Sequence, residues 1–68
     1  MYLTNLFSVS PATDEQHKIA EEISFNHSSI WVNEIEVPLL SDATLEWLQI
    51  NGFQVEENPV RETNIIIW

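Results

Sequence analysis

Along the chain the spacing of apolar positions switches between a period of two and one near 3.6, and each switch marks an element. Tyr2 to Val9 alternates loosely, with Leu3, Phe7 and Val9 on one side and Tyr2, Thr4, Leu6 and Ser8 on the other, which predicts a strand. A helix follows. Ser10-Pro11 offers a cap with proline at the first helical position, and Thr13 with Gln16 offers a capping box. Ala12, Gln16, Ile19, Ala20 and Ile23 then share one stripe, with Asp14, Glu15, Lys18, Glu21 and Glu22 elsewhere, so the helix is amphipathic and ends between Ser24 and His27.

Ile30 to Val37 is rich in β-branched and aromatic residues and stops at Pro38, predicting a second strand with Trp31, Asn33, Ile35 and Val37 on one face and Val32, Glu34 and Glu36 on the other. Ser41 caps a second helix over residues 42–51, and Gly52 supplies the left-handed exit. Leu45 and Leu48 form its stripe, with Trp47 and Ile50 beside it. Residues 53–57 and 62–68 flank Asn58-Pro59-Val60-Arg61, whose Asn-Pro start is turn chemistry, and predict a closing hairpin.

The resulting order, β-α-β-α-β-β, predicts one α+β domain over residues 1–68. Its economical form is a two-layer sandwich, a small four-stranded, mostly antiparallel or mixed sheet with two helices on one face. Trp31 and Trp47 are expected in the core, because a thin core needs large side chains. If Phe53, Val55, Ile65 and Ile67 point at the helices, alternation sends Gln54, Glu56, Glu62, Asn64, Ile66 and Trp68 to the opposite face, where Glu34 and Glu36 join them. The expected partner-binding surface is therefore Ile66 and Trp68 rimmed by Glu34, Glu36, Glu56 and Glu62. Several like charges would then crowd across neighbouring strands.

Composition narrows what such a domain can do. In 68 residues without cysteine, stability must come from packing or from association, so a homo-oligomer is one expectation. A hydrophobic content of 44% with three tryptophans is too apolar for a disordered acidic tail, despite a net charge of -9. Eleven acidic residues face only Lys18 and Arg61, and a pI near 4.2 excludes ordinary binding to a phosphate backbone. Complementarity to a basic surface of another protein is the converse expectation. The longest apolar runs, such as Ile65-Ile66-Ile67-Trp68, are too short to cross a membrane. Met1-Tyr2-Leu3-Thr4-Asn5 lacks the basic start and apolar stretch of a signal peptide, so a cytoplasmic location is expected.

Catalytic chemistry has little to draw on. A chain with one glycine holds no phosphate-cradling loop, and no serine sits in a nucleophile motif. His17 and Glu21 are four apart, half of a metal site without a second histidine on the same face, and read as a surface pair. The adjacent pairs Asp14/Glu15, Glu21/Glu22 and Glu56/Glu57 diverge on a helix or strand and do not make a general acid and base. The expectation is a protein without enzymatic activity, metal or cofactor.

Leu45 to Val55, with its Gly52-Phe53 exit, followed by Thr63 to Trp68, resembles an arrangement of small tailed-bacteriophage and prophage accessory proteins: a helix, a glycine-aromatic exit, a short strand and a closing strand ending in tryptophan. The resemblance covers about a third of the chain. It implies a short acidic phage-type protein acting inside a bacterial cell. Two functions fit. One is an inhibitor or modulator whose acidic face, acting as a nucleic-acid mimic, occupies the basic groove of a host protein. The other is a small structural subunit of a virion or homo-oligomer.

Overall fold

Of the two caps available to the first helix, the chain uses Thr13. The computed structural model describes residues 6–68. In it the helix α1 spans Asp14–His27. Gln16 N–H donates to Thr13 Oγ1 at 3.1 Å, while Gln16 Oε1 accepts from the N–H groups of Ala12 at 2.8 Å and Thr13 at 3.4 Å. Donors left over at a helix start are thereby satisfied, and Gln16 is buried without penalty. Gln16, Ile19, Ala20 and Ile23 form the buried stripe; Ala12 lies before the helix and is exposed.

The strand β1 is Glu34–Pro38, and the helix α2 is Asp42–Ile50 with Ser41 as its cap. At the other end Phe53 N–H donates to Leu48 C=O and Gly52 N–H to Gln49 C=O, both at 3.0 Å, the paired bonds of a Schellman motif. That motif needs a left-handed residue, and Gly52 supplies it at φ 88. Leu48 and Phe53 both enter the core behind it.

Strands β2 (Gln54–Asn58) and β3 (Thr63–Ile67) complete a three-stranded antiparallel sheet in the order β1-β3-β2. The α+β class and the placing of both helices on one face agree with the sequence. Of the predicted first strand, Tyr2 to Asn5 lie outside the described residues, and Leu6 to Val9 do not pair with the sheet. At Val9 the backbone is bound by side chains instead. Trp47 Nε1–H donates to Val9 C=O at 2.8 Å, and Asn51 Oδ1 accepts Val9 N–H at 2.8 Å. Phe7 stacks on Trp47 with ring centroids 5.1 Å apart and touches Phe53 at 5.7 Å. The stacked Phe7 ring and the side chains of Trp47, on α2, and of Asn51, which caps it, thus take the place of a ladder.

Residues directly opposite in an antiparallel sheet share a face, and Ile35, Ile66 and Val55 are opposite one another. That row points at the helices. Ile66 and Val37 join Ile19, Ala20, Ile23, Trp47, Leu48, Phe53 and Phe7 in the core. Asn64, on the same side and buried, accepts Leu40 N–H on Oδ1 at 2.9 Å and donates from Nδ2 to Glu56 C=O at 3.3 Å. It thereby fastens the segment entering α2 to the central strand.

A second fastening joins the two helices. One oxygen of Glu15 accepts from the Ser41 hydroxyl at 2.7 Å, from Ser41 N–H at 3.3 Å and from the Thr44 hydroxyl. The Thr44 hydroxyl foremost, then the Ser41 hydroxyl and N–H, hold the Glu15 carboxyl below its usual range against the opposing effect of burial. Its charge also faces the N-terminal end of α2. Because the folded-state pKa is depressed, this stabilisation is present above the unfolded value and disappears as pH falls through the folded one. Glu15→Gln should cost about 1 kcal/mol at pH 7, a figure already reduced for partial solvent exposure. The difference between variant and parent should begin to shrink as pH falls below the ordinary glutamate range and vanish only below the depressed folded value, as denaturant unfolding across pH would measure.

Candidate protein-binding surface

The central strand β3 carries no charge: Thr63-Asn64-Ile65-Ile66-Ile67. All strand carboxylates lie on its two neighbours, β1 and β2. On the face turned away from the helices, one row reads Glu36, Ile65, Glu56 and the next Glu34, Ile67, Gln54. Ile65 and Ile67 are half-buried, and the four flanking residues are exposed. This is a short apolar ridge between acidic borders.

The acidic rim expected from the sequence is therefore present in Glu34, Glu36 and Glu56, but its centre is different. Ile66, placed on this face by the sequence, has 0% exposure and points into the core. Trp68 lies on the helix side with it, half-buried against the core, its ring 5.9 Å from His27. Glu62 belongs to the loop over residues 59–62, where it is exposed with φ 55. The physical reason is loop length. Asn58 pairs with Thr63, so Val55 falls opposite Ile66 rather than opposite Ile65 or Ile67, and every residue of β3 changes side. Asn58 Oδ1 holds the turn by accepting the N–H groups of Val60 at 3.2 Å and Arg61 at 3.3 Å.

Interposing β3 also removes the expected crowding. Glu36 and Glu56 are two strand spacings apart, about 10 Å, comparable with the screening length in about 0.1 M salt. Glu36 is further balanced by Arg61 Nε at 3.2 Å and by the Thr63 hydroxyl at 2.5 Å. Gln54 Nε2 approaches Glu56 at 3.3 Å. The charges are separated enough to coexist, and their fields add above the isoleucines.

A second apolar feature escapes the sequence. Phe25 is 83% exposed, Ile30 87% and Trp31 88%, at the end of α1 and on the connection to β1. Trp31, expected in the core, is outside because the strand starts at Glu34 and not at Ile30. The preceding backbone is turned by local bonds: Ser29 N–H to Asn26 C=O at 3.1 Å, and Trp31 N–H to Ser29 Oγ at 3.3 Å. Phe25 borders a groove between α1 and β1.

Among the described residues no three His, Cys, Asp or Glu side chains are placed to hold a metal ion, and no helix is long and apolar enough to cross a membrane. The chain matches no family model, and comparison with curated proteins and with solved structures finds no match.

The two tryptophans expected to behave alike should behave oppositely. Trp47→Ala removes a buried ring stacked on Phe7 and should destabilise by about 3–5 kcal/mol. Trp31→Ala should change stability by no more than about 0.5 kcal/mol. Urea unfolding of both variants checks this.

Proposed function

We propose that the domain is a non-enzymatic protein-interaction module that lays its acidic sheet face on a basic surface of another protein. One observation carries the reading: Glu34 and Glu36 on β1 and Glu56 on β2 border Ile65 and Ile67 on the face opposite the helices. An apolar centre with a charged rim is the anatomy of an interface, the centre supplying burial and the rim supplying steering and register. With a net charge of -9, the partner is a cationic surface.

Surfaces rich in Lys and Arg commonly serve phosphate backbones, so a row of carboxylates on this face competes with nucleic acid for the same cations. The partner is then a nucleic-acid-binding protein, and the domain inhibits or modulates it by occupying its groove. The likeness of the C-terminal third to small phage accessory proteins supports a bacterial host protein as the target, met in the cytoplasm.

The test compares the parent with Glu34→Lys/Glu36→Lys. These positions are exposed, and loss of the Arg61 contact should cost less than about 1 kcal/mol, so the variant folds. From a bacterial lysate at low salt, the parent should retain a basic protein that added DNA displaces, with retention falling at least about tenfold well above 0.15 M salt. The variant should lose it. Undiminished capture by the variant, or capture insensitive to both salt and DNA, would contradict the proposal.

A further inference from the structure

The geometry points to the outer edge of β1 as the place where the partner engages, by adding an extended segment in which basic and apolar residues alternate. This rests on the reading above and specifies its mode. Among the described residues β1 pairs only with β3, so its other edge is unpaired. The phase of that edge follows from one bond: Trp68 N–H donates to Asn33 C=O at 2.9 Å. Bonded pairs alternate in an antiparallel ladder, so Ile35 and Val37 direct their backbone groups at β3. Glu34 and Glu36 direct theirs outward. Pro38, next in that phase, has no N–H to offer and ends the edge.

An added strand would bond to the backbone of Glu34 and Glu36, and its side chains opposite them would lie on the acidic face. Basic residues are complementary there. Side chains opposite Ile35 and Val37 would point to the helix side, where two contiguous depressions of about 550 and 640 Å³ run between α1 and β1. Ile19, Phe25, Ile35, Val37 and Leu39 supply their apolar walls, and Lys18 and Glu22, of opposite charge, border both. Apolar side chains are complementary there.

The same edge disfavours pairing with β1 of a second copy, because an antiparallel β1 would bring Glu34 and Glu36 against their own like charges, and a net charge of -9 opposes the approach of a second copy in general. The occupant is therefore a segment of a different protein. The exposed Phe25 lines the groove and adds apolar surface beside the docked segment.

Two short synthetic peptides of identical composition test this, one alternating lysine and valine and the other with its lysines and valines grouped. In an NMR titration of the whole chain at low ionic strength, the alternating peptide should bind at least about tenfold more tightly than the grouped one. It should also slow amide exchange of Glu34 and Glu36 by at least about tenfold, with Ile35 and Val37, already bonded to β3, little changed. Equal affinity without that protection would overturn strand addition while leaving the charge-based reading in place. Failure of both peptides to bind would overturn both.

Discussion

The pairing of Asn58 with Thr63 across the closing loop is the constraint on which the rest of this molecule depends. Side chains alternate along a strand, so one pairing choice determines which half of a run of isoleucines enters the core. Here Ile66 goes inward against both helices, and Asn64 goes with it to hold the backbone ahead of α2. Ile65 and Ile67 are sent outward by the same choice. A loop one residue longer or shorter would exchange the sets, burying a different core and orphaning Leu40 N–H.

Charge is distributed around that constraint. The central strand is neutral, and the carboxylates stand on the two strands that form the sheet's edges among the described residues, where they face water and oppose unwanted pairing. The proposed function as an interaction module would use this same arrangement in the opposite sense, since what repels a like-charged strand attracts a basic one. The domain is small, and its thin core is supplemented by side-chain fastenings between elements: Trp47 and Asn51 to Val9, Asn64 to Leu40, Glu15 to Ser41 and Thr44. These make polar groups part of what holds the layers together.

What was legible in the sequence was local. The Thr13-Gln16 box, the Ser41 cap, the Gly52 exit and the Asn58-Pro59 turn each involve residues a few positions apart, and each is present. The acidic members Glu34, Glu36 and Glu56 of the surface were legible too, because alternation within one strand places them. What was not legible depends on long-range choices. The face of Ile66 and Trp68 follows from hairpin register, and a continuous apolar run reads the same in either phase. Phe7 to Val9 look like a strand but are captured by α2, a contact some 40 residues away in sequence. Trp31 looks like core until the turn made by Ser29 shortens the strand.

The register is open to direct measurement. In antiparallel sheets the Cα atoms of non-bonded pairs approach more closely than those of bonded pairs, and their α-protons give strong cross-strand NOEs. The phase set by Trp68 and Asn33 assigns such NOEs to Glu34 with Ile67, Glu36 with Ile65, Val55 with Ile66 and Glu57 with Asn64. Their observation would establish that Ile65 and Ile67 form the centre of the acidic face. Strong α-proton NOEs instead from Val55 to Ile65 or Ile67 would place β3 in the other phase and remove that face.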